Sequence, residues 1–295
     1  MRACEGMVML IRREETNEFD FHGLTVADYG ATAEGTASVA MVEVPAGQRH
    51  PFAYSSRCEK IYCVVEGAPR FNVDGVVYGP KAQDLVIVPR GKIFCYENSG
   101  EAPARMLLVH VPAFDPQAEH LLPDELRPHE VHLGSERVVL RPMTEGDWEH
   151  VLAWNADPEV LIWSDDTKEV RPEEETKGIY RTVSRFAFVF IIEHEGEPIG
   201  ECWLQKMNLP EFIAAYPGKD LRRIDLMIGR KDLWGKGLGT DTIRALVRFG
   251  FEREKADGVF AWVRPENQRS WRAFEKAGFE EVEVGEERGL VAWRG

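Results

Sequence analysis

The stretch Ile224-Asp225-Leu226-Met227-Ile228-Gly229-Arg230-Lys231-Asp232-Leu233-Trp234-Gly235-Lys236-Gly237-Leu238-Gly239-Thr240 decides the reading of this chain. Its first half belongs to an apolar run that predicts a strand over 221–230. An amphipathic run from Thr240 to about Phe251 predicts a helix. Strand, glycine turn and helix, in that order, aim unpaired backbone N–H groups at an anion. Gly237 and Gly239 allow a tight turn and the close approach of a phosphate, and Lys236 adds positive charge. The spacing is neither that of a nucleotide P-loop nor that of a dinucleotide-binding GxGxxG turn.

Downstream, Val259-Phe260-Ala261-Trp262-Val263 predicts another strand. A helix is expected to begin near Asn267 and to stop at Gly278. With both segments in view, residues 136–294 resemble the GNAT acetyltransferase superfamily. The carriers are Trp234-x-x-Gly237-x-Gly239 and, one strand later, Asn267-x-x-Ser270-x-x-x-Phe274-x-Lys276-x-Gly278-Phe279. Trp163 before Asp165, Asp166 and Arg171-Pro172, the Gly196-Glu197-Pro198-Ile199-Gly200 turn, and Ile224-Asp225 are closer to the aminoglycoside 6'-N-acetyltransferases and their relatives.

The resemblance implies an α+β fold with acetyl-CoA as co-substrate and no metal. It implies that Trp234, Gly235, Lys236, Gly237, Leu238, Gly239 and Thr240 hold the diphosphate. Met227, Ile228 and Gly229 would carry the pantetheine arm, and Asn267, Ser270 and Phe274 would complete the CoA site. Asp225 would activate the acceptor amine, and Trp163, Asp165, Asp166, Trp203 and Gln205 would receive it. Read as residues alone, several of these have plainer roles. Asp225 could pair with Arg222 or Arg223, Asp165 and Asp166 could be solvated, and Trp203 and Gln205 could be packed. Two positions depart from the family pattern. Trp234 stands where Gln or Arg is usual, and Phe274 replaces the tyrosine that protonates the leaving thiolate; Ser270 is the nearest hydroxyl.

Other elements follow from local chemistry. Thr144 with Asp147 three residues on predicts a capped helix start. Pro172 followed by Glu173, Glu174 and Glu175 predicts another. Runs at 186–192 and 198–205 predict a hairpin, and 208–220 reads as a loop.

The 295 residues suit two domains, and 44% apolar with 29% charged residues suits a globular chain. No apolar run approaches the ~20 residues of a membrane span. Met1–Asn17 holds a Met7-Val8-Met9-Leu10-Ile11 patch but lacks a signal-peptide layout. Five cysteines without CxxC are expected to be reduced, which points to the cytoplasm. A net charge of −14 argues against nucleic acid and favours cationic partners.

Residues 20–112 alternate short strands with Gly/Pro turns, Asp74-Gly75 being a hairpin turn, which predicts an all-β barrel or sandwich. Gly47, His50, Glu59 and Gly67, then Pro89, Gly91 and Asn98, resemble the cupin motifs in part. Phe52 and Phe94 stand at histidine positions, so only His50 and Glu59 remain as metal candidates. A metal-free barrel and a small-ligand pocket lined by Tyr62, Phe94 and Tyr96 are the other readings. The cupin resemblance also implies a homodimer formed through the sheets.

The expected layout is therefore a cupin-like β-barrel at 1–114, a linker at 115–135 with one helical turn near 117–121, and a GNAT domain at 136–295. The expected activity is acetyl transfer from acetyl-CoA to a primary amine of a small cationic acceptor such as an aminoglycoside. A protein N-terminus or a hydroxylysine-type amine is the alternative acceptor. An acyl-CoA sensor with little turnover is the alternative of another class.

Overall fold

The computed structural model describes residues 10–32, 34–284 and 287–295. Cys4 and Met7–Met9 of the apolar patch lie outside them. The chain divides into two units, residues 1–124 and 125–295.

The first unit holds eleven strands among its described residues: β1 Asn17–Phe21, β2 Leu24–Ala31, β3 Ser38–Val44, β4 Ala53–Ser55, β5 Glu59–Glu66, β6 Arg70–Val73, β7 Val76–Tyr78, β8 Leu85–Val88, β9 Phe94–Glu97, β10 Ala104–Val111 and β11 Glu119–Leu121. They form two sheets, ordered β1-β2-β3-β10-β5-β8 and β11-β4-β9-β6-β7. Strand β3 alternates strictly between buried and half-buried residues, the period-2 signature of a strand with one face inward. The inward faces meet in one core. Val42, Tyr62, Val64 and Met106 come from one sheet, and Phe71, Phe94 and Tyr96 from the other. The Asp74-Gly75 turn has both residues at positive φ, as a two-residue hairpin requires.

The second unit has an eight-stranded sheet ordered β12-β13-β14-β15-β16-β17-β19-β18. Its strands are β12 Leu133–Gly134, β13 Val139–Pro142, β14 Ala187–His194, β15 Glu197–Lys206, β16 Leu221–Ile228, β17 Gly258–Ala261, β18 Glu280–Val284 and β19 Glu287–Trp293. Only the β16–β17 pair is parallel among the described ladders, and α5, Leu238–Glu252, is the crossover between them. Its remaining helices are α1 Trp148–Asn155, α2 Pro158–Ser164, α3 Glu173–Val183, α4 Pro210–Ala215 and α6 Gln268–Glu275. One sheet face packs on α5 through Leu204, Ile224, Leu246 and Phe249. The other buries Trp154, Tyr180, Ile191 and Met227.

The stretch 115–135 is not a free connector. Asp115 caps a 3-10 turn at Pro116–Ala118, and β11 then pairs with β4. Leu126 is buried beside Met143 and Val151. Three prolines argued for a tether, but scattered apolar residues found partners within each unit. The loop expected at 208–220 contains α4, which opens on Pro210 and buries Phe212 against Phe260.

Candidate active site

Strands β16 and β17 pair only from Leu221–Gly258 to Arg223–Phe260. Beyond Arg223 the ladder ends, which leaves a notch between the two strands. Asp225, Met227 and Ile228 follow on β16. After Gly229 the chain makes a 3-10 turn at Lys231–Leu233 and enters α5 at Leu238. Gly237 precedes α5 with φ +83°, in the left-handed region that favours glycine. The first N–H groups of α5 have no partner within the helix and carry the positive end of its dipole.

The loop is held from outside. Arg137 Nε donates to Asp241 Oδ2 at 2.7 Å and Arg137 Nη1 to the Lys236 carbonyl at 2.9 Å. The Trp234 indole N–H donates to the Ile228 carbonyl at 2.7 Å. Gly229 lies so close to Trp154 that a Cβ there would sit 2.1 Å from its Cγ.

A cleft of about 370 Å³ opens over this loop. Of the residues assigned to CoA from the sequence, Met227, Ile228, Trp234, Gly235, Gly237, Leu238, Gly239, Thr240, Asn267 and Ser270 line it. Trp163, assigned to the acceptor, lines it too. Gly229 is tucked under Trp154, and Lys236 contributes its carbonyl to Arg137. Phe274 is 3% exposed and packs on Phe279, so its ring belongs to the core. Asn267 caps α6 by accepting from the Ser270 N–H and also donates to the Trp163 carbonyl at 3.3 Å.

Cations that the sequence reading did not assign to the site stand around the cleft: Arg269 and Arg272 on α6, and Lys276 at its C-terminal cap. The Arg269 guanidinium lies 3.8 Å from the Trp234 ring centroid and 5.8 Å from that of Trp163. Burial lowers its pKa. Their spacing along one helix face was the available signal.

On the acceptor side, Asp225 is half-exposed and does not stand alone. Arg223 grips it with two bonds, Nε to Oδ2 at 3.0 Å and Nη2 to Oδ1 at 3.1 Å, and Gln205 Nε2 donates to Oδ2 at 2.7 Å. Trp203 stands opposite Asp225 in the β15–β16 register, with Tyr180 edge-on against it at 5.4 Å. Both carboxylates of the acidic mouth expected from Asp165 and Asp166 already have counter-ions. Asp165 pairs with Arg171, and Asp166 with Arg264. The sequence reading missed Glu201, a carboxylate buried on β15 beside this group. Its place two residues before Trp203 was the signal, since alternate residues share a face.

Among the described residues, no three His, Cys, Asp or Glu side chains gather where they could hold a metal ion. The two metal candidates do not converge. His50 is buried, donates Nδ1–H to the Pro51 carbonyl, stacks on Phe94 and lies tilted against Tyr96. Burial, then the charge of Lys60, lowers its pKa to about 3. Glu59 alternates with inward-facing Lys60 and so faces the other way.

Residues 137–280 match the acetyltransferase (GNAT) domain family, and residues 40–110 match the cupin domain family. The second unit is a GNAT acetyltransferase domain. It is an acetyl-CoA-dependent N-acetyltransferase, with acetyl-CoA as co-substrate. The residues that line the GNAT cleft suit that molecule: free N–H groups and cations for its phosphates, and an open strand edge for its amide-bearing arm.

A curated relative is the aminoglycoside N(6')-acetyltransferase type 1 of Klebsiella pneumoniae. It is 28% identical over 154 residues, which are 50% of this chain and 75% of the relative. The structure of aminoglycoside acetyltransferase AAC(6')-Ib with coenzyme A is 25% identical, covering 53% of this chain and 95% of that one, with a TM-score of 0.44. Elsewhere the chain is similar to a structure of the nucleoside dehydratase Pac13, at 27% identity, 39% and 92% coverage and a TM-score of 0.36.

Proposed function

We propose that this enzyme transfers the acetyl group directly to a primary amine of a small cationic acceptor of the aminoglycoside type. The observation that carries this reading is the position of Asp225, the first carboxylate on β16 past the end of the β16–β17 ladder. A thioester laid along the open edge of β16 comes within reach of that carboxylate. The acceptor arrives as an ammonium of pKa about 10, if lysine-like, and must lose a proton before it can attack. In this reading Asp225 takes that proton, directly or through water. The amine lone pair then attacks the thioester carbonyl carbon, and a strand N–H near Met227 to Gly229 meets the developing oxyanion. As the intermediate collapses the C–S bond breaks, CoA leaves as the thiolate, and the second proton on the attacking nitrogen passes to water, which leaves the neutral amide. Trp163 and Trp203 offer ring faces to a cation, Gln205 orients Asp225, and Asp165 and Asp166 add negative potential although each has a counter-ion.

The test is release of free thiol from acetyl-CoA with kanamycin, an N-terminal peptide amine and N-hydroxylysine as separate acceptors, with mass analysis of each product. Turnover with kanamycin well above the other two is expected. A preference for the peptide or the hydroxylysine amine refutes the acceptor class. Phe274, buried where the family places a hydroxyl, favours a second reading as a slow acyl-CoA sensor. Tight CoA binding without thiol release from any amine would establish that reading instead.

The first unit fits a dimerisation role. The outer face of β5, β8 and β10 is apolar: Ile61, Cys63, Leu107 and Val109 adjoin Leu85 and Ile87, which are 60% and 53% exposed. A second copy of this chain is the proposed occupant, and light scattering of wild type against a Leu85→Glu, Ile87→Glu double variant tests it. Cys58, Cys63 and Cys202 are free thiols, and no helix among the described residues is long and apolar enough to cross a membrane. The free thiols support a cytoplasmic setting.

A further inference from the structure

Glu201 is 6% exposed. Its partner across the β15–β16 ladder is Met227, which lines the cleft, and Asp225 is the next residue on that face of β16. The Glu201 Oε2 atom is buried without a hydrogen-bond partner, and so is the indole nitrogen of neighbouring Trp203. Two unsatisfied polar atoms side by side are uncommon in a folded core and call for an explanation.

The charge inventory supplies one. The titratable groups acting on Glu201 are Asp225 from β16, Asp165 from the end of α2 and Tyr180 from α3. Asp225 has Arg223 as its counter-ion, and Asp165 has Arg171. No lysine or arginine forms an ion pair with Glu201 among the described residues. A buried carboxylate without a cation is strongly disfavoured, so the neutral acid is the resting form. Burial first, then the charges of Asp225 and Asp165, hold the Glu201 carboxyl well above the usual range; the nearby Tyr180 hydroxyl and Trp203 indole offset this only in part, and the indole does so without reaching hydrogen-bond geometry.

We propose that Glu201 is a specificity residue of the acetyltransferase: it keeps its proton while the acceptor side is empty and releases it when a cationic amine docks beside Asp225. The amine supplies the counter-ion that the fold withholds. The released proton goes to solvent, and no bond to the substrate forms or breaks. Multiply charged acceptors are favoured, because each added charge near the site strengthens the Glu201 anion. The inference rests on the cationic-acceptor reading.

Infrared difference spectroscopy and kinetics on the full chain test it. At neutral pH wild type should show the carbonyl band of a buried protonated carboxyl; Glu201→Gln should lack it, and saturating kanamycin should abolish it in wild type. The KM for kanamycin should fall about tenfold per pH unit as pH rises toward the Glu201 pKa, as expected for one linked proton. Glu201→Gln should flatten that slope, Glu201→Asp should retain it, and the KM for acetyl-CoA should stay unchanged in both. A slope that persists in Glu201→Gln, or a wild type without the band, overturns the proposal. Failure of every amine to release thiol would overturn the acceptor reading instead. The band needs no turnover, and its presence or absence still decides the state of Glu201.

Discussion

Replacing Asp225 by Asn separates its chemistry from its packing. The substitution keeps the shape and one acceptor oxygen. It puts an NH2 group where Oδ2 now accepts from both Gln205 Nε2 at 2.7 Å and Arg223 Nε at 3.0 Å. Two donors then face a donor, and the Arg223 guanidinium loses its counter-ion. A hydrogen bond to a charged group contributes about 1.5–3 kcal/mol. The Asp225 side chain is 37% exposed, so solvent screens part of this, and about 1–2 kcal/mol is the expected loss. That corresponds to a fall in melting temperature of about 2–8 °C for a unit of this size. Loss of a general base lowers kcat by about 10²–10⁴, or about 2.7–5.4 kcal/mol of barrier. The two effects are readable apart. A variant that melts a few degrees early is still folded at 25 °C, so instability cannot account for a kcat loss there. Thiol release at saturating acetyl-CoA, beside a thermal melt, gives both numbers. A kcat within threefold of wild type, with the melt shifted as expected, would leave Asp225 a structural partner of Arg223 and refute its assignment as base.

Other consequences can be checked in the same preparations. Gly237→Val forces a β-branched residue to φ +83°, at a cost of about 1–2 kcal/mol, so the KM for acetyl-CoA should rise about tenfold; an unchanged KM would mean that the turn does not shape the phosphate site. Gly229→Ala places a methyl 2.1 Å from Trp154 Cγ, and the overpacking should lower unfolding free energy in urea by about 1–3 kcal/mol. His50 and His110 are buried neutral, each with its pKa lowered to about 3, chiefly by burial. The unfolded chain binds the extra protons below about pH 6.5, so stability falls as pH drops from there toward 3, by about 1.4 kcal/mol per pH unit for each histidine. Urea midpoints of the first unit's transition at pH 7 and pH 5 test this, and a flat profile refutes it.

What the sequence revealed follows the range of the forces involved. The glycine turn, its flanking strand and helix, and the Thr144–Asp147 cap are set by neighbours within a few residues. The Asp74-Gly75 hairpin is local too, because a two-residue turn carries its own backbone requirement. The acceptor side was legible as residue types but not as charge states. Asp165 and Asp166 looked like a free acidic pair, yet Arg171 and Arg264 hold them, and the second comes from 98 residues away. Glu201 looked like part of a strand. Only the β15–β16 register brings it beside Asp225 and leaves it without a cation. In the 115–135 stretch the local turn at Pro116–Ala118 lies close to the helical turn expected near 117–121, but pairing of β11 with β4 spans more than sixty residues of chain, and no local preference announces it.

The leaving thiolate is where this chain departs furthest from its family pattern. The ring of Phe274 is buried against Phe279, and it has no proton to give. Ser270 is the hydroxyl of that helix that lines the cleft, and its backbone N–H is committed to the Asn267 cap. A hydroxyl acid would have to donate at its own cost, because a serine alkoxide is far less stable than a thiolate whose pKa, if like cysteine's, is about 8.5. The thiolate is the weaker base and can depart unprotonated, with the N–H groups and cations around the cleft favouring its charge. Ser270→Ala should therefore change kcat less than threefold. The rate should still depend steeply on the leaving thiol: acetyl donors whose thiols are one pKa unit more acidic should react several-fold faster. Thiol release from a series of acetyl thioesters, compared in wild type and Ser270→Ala, measures both. A drop of a hundredfold in the variant would show that Ser270 delivers a proton after all, and no dependence on the thiol would refute departure as the bare thiolate.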